Sequence, residues 1–295
     1  MKVSMSFLAF AALFAAASVQ ADTATSTANS EAIAPSIKEK LNLNLWSNFA
    51  GPAVNNFNEV TPGSTPDDDD RLSFDNVITS GYKLQKTFEV GAAIELLYKP
   101  MGTLGKEFSN DVATKDIWLR ANRSKILDSN GLDLSVDLRV YTPSPNRNNL
   151  VTGFRSTQNF NWTYGDLTLG TYSFFRANVY TTAPTGKYSL DEEKGLAFHN
   201  YGSGSELRRL YIAPNGSYAI TKNLQATLWA DLVSLRYRAG DSRNYLGKND
   251  PIDIEPGLNW DITDKVALNP YVNFYTDNLG WDNTYVGFIF TAKAF

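Results

Sequence analysis

The amino-acid sequence predicts an all-β chain, a transmembrane up-and-down antiparallel β-barrel of 12 strands. Three observations carry this. Apolar and polar residues alternate in a dozen segments, the connections between those segments alternate short and long, and the chain closes on YVGFIFTAKAF, ending at Phe295. Successive strand side chains point to opposite faces, so period two means one apolar face and one polar face. A bulky terminal ring gains burial from a lipid-facing strand and little from a soluble surface.

The chain opens on a secretory pattern: Lys2, an apolar run from Phe7 to Ala17, then Val19-Gln20-Ala21, which predicts a signal peptide over 1–21. The apolar run is shorter than the roughly 20 residues a spanning helix needs. Residues 22–36, DTATSTANSEAIAPS, lack period and large apolar groups, and read as a flexible periplasmic leader. Residues 37–295 hold the barrel.

Its strands are expected near 38–49, 71–82, 87–99, 114–126, 132–142, 149–163, 166–180, 206–220, 224–238, 251–262, 266–277 and 283–295. Leu132, Leu134, Val136, Leu138 and Val140 alternating with Asp133, Ser135, Asp137 and Arg139 form one of the clearest runs. Tight turn-like links follow every second strand, among them Asp128-Ser129-Asn130-Gly131 and Tyr164-Gly165. The alternate links, near 50–70, 100–113, 143–148, 181–205 and 239–250, are longer and more polar. The short set is expected to face the periplasm and the long set the exterior.

Tyr98, Tyr141, Tyr180, Tyr237 and Tyr275 are expected at the outer membrane–water interface. Tyr82, Trp162, Tyr218, Trp260 and Phe295 are expected at the inner one, where amphipathic rings favour the headgroup layer. Pro256 and Pro270 each remove a ladder donor and are expected at bulges or near a rim.

Composition excludes several classes. Across 295 residues there are 27 basic and 31 acidic side chains, a net charge of −4, too mild to point to nucleic acid. There is no cysteine, so disulfides, zinc–thiolate sites and cysteine nucleophiles are out. The single histidine, His199, sits in the loop sequence AFHNYGSGSE. A neighbouring serine there does not make a triad, so no enzyme and no catalytic residue is expected. Asp67 to Asp70 form an acidic loop run without the glycine or distal glutamate of a calcium loop. No metal site and no cofactor is expected.

The signal peptide, the alternation over 37–295, the loop asymmetry and the ending at Phe295 together resemble the bacterial outer-membrane β-barrel proteins. The strand number is similar to that of small 12-stranded porins, such as the oligogalacturonate- and sialic-acid-type channels. The resemblance implies an outer-membrane porin-like channel of a Gram-negative cell, passing small hydrophilic solutes or ions by diffusion. The implied partners are membrane lipid and lipopolysaccharide, the barrel assembly machinery through Phe295, and small polar solutes. If Val286, Phe288, Phe290, Ala292 and Ala294 face outward, Lys293 and Phe295 fall on inward parity, which requires a local irregularity or rim placement.

Function then belongs to the interior face. On strands four to eight the inward candidates are the basic residues Arg120, Arg139, Arg155, Arg176 and Arg209, mixed with Asp116, Asp133 and Asp137. Acidic candidates are Glu95, Asp231, Asp253 and Glu255, expected to face the arginines across the lumen. Such opposed charges order dipolar solutes and bias ion preference. The alternative is a non-conducting surface or structural barrel whose charges pair and fill a narrow interior. Gly91, Gly153, Gly170, Gly257 and Gly287 also fall on inward parity and favour space. An outer-membrane hydrolase is the remaining alternative.

Overall fold

The computed structural model describes residues 40–53, 73–98, 112–143, 150–180, 206–238, 248–249, 252–276, 279 and 284–294. The signal peptide, the leader, most of the long links, His199, Asp67 to Asp70 and Phe295 lie outside the described residues. The strands are β1 (Leu41–Ala53), β2 (Ser73–Gln85), β3 (Phe88–Tyr98), β4 (Val112–Ser129), β5 (Leu132–Thr142), β6 (Leu150–Tyr164) and β7 (Leu167–Tyr180). They continue as β8 (Glu206–Thr221), β9 (Leu224–Asp231), β10 (Val233–Arg238), β11 (Lys248–Asn249), β12 (Asp253–Asp261), β13 (Val266–Tyr275) and β14 (Thr284–Lys293).

Fourteen segments make twelve staves. β9 and β10 both pair with β8 and are one stave interrupted at Leu232. β11 and β12 pair with that stave in a single register, Arg236 opposite Lys248 and Asp253 opposite Asp231, and form the next. Every neighbour is antiparallel, and β1 pairs with β14 as well as β2, so the sheet has no free edge. Closure matters because hydrocarbon offers no partner for an edge N–H or C=O.

The tight turns form as their residues require. Asn130 and Gly131 have φ of 51° and 80°, the pair of positive values a two-residue hairpin needs. Outward positions carry exposed apolar side chains around the wall, including Leu43, Ile78, Leu119, Leu138, Phe154, Phe175, Leu210, Leu228 and Leu258. Inward positions carry Arg176, Arg209, Asp137, Thr157, Asn178 and Ser234, all buried. An apolar outside over a polar inside is the inverse of a soluble fold and defines a membrane-spanning barrel.

Three expectations need correction. Tyr141, Tyr180 and Tyr275 share the interior parity of Gly153, Asn178 and Asp253, and Tyr141 is only 2% exposed. They pack inside the barrel, while Trp162, Tyr218 and Trp260 do stand exposed at the turn end. Pro256 and Pro270 lie within β12 and β13 rather than at bulges or a rim. The inward glycines do not leave free space. A Cβ on Gly153 would meet Asn178 and Tyr141, one on Gly170 would meet Asn161 and Asn215, and one on Gly287 would meet Tyr271.

Candidate functional site

Cross-strand register builds the site. Arg120 on β4 stands opposite Arg139 on β5, Arg139 opposite Arg155 on β6, and Arg155 opposite Arg176 on β7. Arg176 stands opposite Arg209 on β8, and Arg209 opposite Arg236 on β10. Six arginines thus occupy one continuous row over six neighbouring staves, whose backbones are ~4.8 Å apart. Like charges directly opposite destabilise a sheet. The surrounding side chains show how the row is tolerated.

Asp137 accepts from Arg120 Nε at 3.1 Å and from Arg139 Nε at 2.6 Å. Rings lie against the guanidinium groups: Arg139 is 5.1 Å from the Trp118 centroid, Arg155 3.7 Å from Phe174, and Arg176 4.0 Å from Tyr141. Such cation–π contacts favour a desolvated cation. Arg176 donates from Nη2 to Asp116 on β4 at 3.1 Å, passing over β5 and β6. Gly153 on β6 allows this crossing, since any side chain there would strike Asn178, whose Oδ1 accepts from Arg176 Nε at 3.1 Å. Arg209 donates to Ser234 at 2.8 Å.

Arg155 differs from Arg120, Arg139 and Arg176, which hold carboxylates. Its hydrogen-bond partners are neutral, Thr157 Oγ1 at 3.1 Å and the Tyr172 hydroxyl. Its charge is compensated by rings and dipoles rather than by a carboxylate.

The acidic residues sit in two places. Glu95 is bound to Lys115 at 3.0 Å, and Lys115 also donates to Asp75 at 2.8 Å. Asp231 stands opposite Asp253 and accepts from Trp229 Nε1 at 2.7 Å and from the Tyr211 hydroxyl. Asn273 donates to both Asp253 and Glu255, at 2.8 and 2.7 Å. Stave order corrects the expected opposition: β9 and β12 follow directly on β8, so these acids border the arginine row at about a quarter turn. The wall across from β5–β7 is β13, β14 and β1, with Asn44, Asn48 and Tyr271 turned inward, Tyr271 donating to Asn48 at 2.9 Å. The row therefore faces neutral polar groups.

Two bulges explain what period two did not reveal. Opposite Glu95, β4 inserts one residue, so Lys115 and Asp116 both turn inward and each finds a charged partner. At Leu232 the register with β8 slips by one residue, which places Ser234 and Arg236 in line with Tyr211 and Arg209. On unbroken alternation from Trp229, Ser234 would point outward, so the register that sets Arg236 opposite Arg209 was invisible in the sequence. The interior rings Trp118, Tyr172, Phe174, Tyr211 and Trp229 were also missed, because aromatics on a barrel read first as lipid-facing. Among the described residues, no group of His, Asp or Glu is arranged to hold a metal ion.

No family model matches the chain, and no curated protein sequence does. Solved structures are similar at the level of the barrel. The NanC porin in a rhombohedral crystal form aligns at a TM-score of 0.47 and 12% identity, covering 84% of this chain and 97% of its own. An outer membrane channel from Pseudomonas putida F1 aligns at 0.47 and 10%, covering 86% and 94%. Salmonella typhi OmpF in complex with daunomycin aligns at 0.38 and 6%, covering 86% and 96%.

Proposed function

We propose that the protein is an outer-membrane channel through which small hydrophilic solutes or ions diffuse, with anions favoured along the β4–β8 wall. The observation that carries this reading is the arginine row. Directly opposed like charges, Arg120, Arg139, Arg155, Arg176 and Arg209, weaken a sheet, so the row makes sense as a potential acting on something that passes. Rings of arginine bias a pore toward anions, and Arg155, whose hydrogen-bond partners are neutral, contributes a charge that no carboxylate offsets. The acids on β9 and β12 add an adjacent negative pole, so the field runs along the wall from one patch to the other. Nothing in this reading calls for a catalytic step. Lipid around the wall, lipopolysaccharide at the outer rim, the assembly machinery at Phe295 and small polar solutes within are the partners it entails.

Planar-bilayer recording of the mature protein tests it. Stepwise conductance with an anion-favouring reversal potential is expected, and Arg139→Glu/Arg155→Glu should move that potential toward cations. A silent membrane would favour the second reading, a non-conducting structural barrel. One observation speaks for that reading: Arg176 and Asp116 are 3% and 2% exposed, so part of the interior is filled by its own charges. Deleting residues 22–36 tests separately whether the leader plugs the lumen, since unchanged single-channel traces would refute it.

A further inference from the structure

The end of the barrel bearing the tight turns has two unlike halves. Over β6, β8 and β12 the rim carries exposed rings, Trp162, Tyr164, Tyr218 and Trp260, with Asp166, Lys222 and Lys265 one to a turn between them. Over β1 to β4 it is basic. Lys40, Lys86, Arg123 and Lys125 are all exposed there, on strand ends that adjoin in space. Lys40 lies 5.9 Å from the Tyr82 ring, and Arg123 stands opposite Phe88, just past the turn that holds Lys86.

The direction of Arg123 gives the surface its meaning. Arg123 shares an outward row with Phe88 and Val136, so its charge stands on the lipid side of the wall rather than in the pore mouth. The same stretch exposes apolar side chains, Leu84 at 53% and Ile126 at 48%. Apolar groups for acyl chains and cations at the depth marked by Tyr82 are what a phospholipid presents in reverse. Of the four cations, Lys125 is held by Asp128 at 2.8 Å.

We propose that the β1–β4 third of the turn-side rim seats the headgroup of an anionic phospholipid, with Lys40, Lys86 and Arg123 around its phosphate and Leu84 and Ile126 against its chains. The seat fixes which lipid borders this side of the barrel, independently of whether solute passes through the middle.

The test is lipid retention. Mature protein in nanodiscs of equal phosphatidylcholine and phosphatidylglycerol is released for native mass spectrometry, and the adducts of each lipid are counted. Phosphatidylglycerol should be retained over phosphatidylcholine by roughly fivefold or more, given what each basic residue near an anionic surface contributes. Lys86→Gln/Arg123→Gln should bring the ratio near one. Lys86→Arg/Arg123→Lys should preserve it, as should Lys222→Gln on the opposite half. Equal retention by the wild type, or an unchanged preference in the glutamine variant, would overturn the proposal. So would loss of the adducts to millimolar glycerol phosphate, which would mark a site for free anions rather than a lipid seat.

Discussion

The wall from β4 to β8 and the wall from β9 to β14 are built from the same chain and closed in the same ring, yet they are held by different means. β4 to β8 are 18, 11, 15, 14 and 16 residues long, and β6 pairs with β7 almost without a break from Leu150 to Tyr164. β12, β13 and β14 have 9, 10 and 10 residues, and pairing between β12 and β13 is intermittent. The first wall carries the charges that oppose each other, and its β5–β6 and β7–β8 ladders run without a break, whereas the β12–β13 ladder does not. A row of like charges costs stability, and a long uninterrupted ladder can offset it.

The first wall is most sensitive to a change that unbalances its charges. Asp116 is 2% exposed and holds Arg176 from three staves away. Removing one member of a buried pair leaves the other desolvated, so Asp116→Asn should destabilise by about 3 kcal/mol or more. Urea unfolding in lipid vesicles followed by tryptophan fluorescence would register this as a lower midpoint. The joint replacement Asp116→Leu/Arg176→Met should recover most of the loss, because no lone charge remains. A midpoint unmoved by Asp116→Asn would show that the crossing contact contributes nothing.

On the second wall the corresponding change is smaller. Glu255 and Asn273 fall where the β12–β13 ladder shows no pairing, and the Asn273 side chain spans that gap by donating to Asp253 and Glu255. Side-chain bonds here do part of what backbone bonds do on β6 and β7. Asn273→Leu removes two donors from half-buried carboxylates and should cost about 1–3 kcal/mol. Hydrogen exchange would locate the effect, with faster exchange across β12 and β13 and none at β6.

How much of this was readable beforehand follows from the same contrast. Alternation and turn chemistry specify which residues are strands and which face is wet, so Arg120, Arg139, Arg155, Arg176 and Arg209 could be placed inside without coordinates. Register is a different quantity. It decides that the five stand opposite one another and that a sixth, Arg236, joins them, and it depends on bulges at Lys115–Asp116 and Leu232 that leave no mark in a period-two pattern. The position of the acids around the ring depends on stave order, which alternation does not encode, so the expected opposition is a neighbouring patch. Proline was read by its general habit, and the seam it interrupts could be known only from pairing.

That seam gives the smallest and most direct test of the comparison. Pro256 pairs with Leu228 of β9 and Pro270 with Phe288 of β14, so on those sides the ladder continues past both. The donors they lack point the other way, into the β12–β13 seam, toward Val272 and Leu258 respectively by the register that sets Asp253 opposite Tyr275. Two missing N–H groups on one seam weaken it without touching either neighbour. Both proline rings face outward and are exposed, so Pro256→Val keeps an apolar side chain on that face and returns one donor. A restored backbone bond contributes about 1 kcal/mol net, and Pro256→Val/Pro270→Val should raise the unfolding midpoint further than either change alone. The same pair should slow hydrogen exchange at Val272 and Leu258 while leaving β6 and β7 as they were. If the midpoint falls instead, the second wall depends on the conformational restriction of its prolines more than on the bonds they forgo, and its difference from the first wall is one of stiffness rather than of ladder strength.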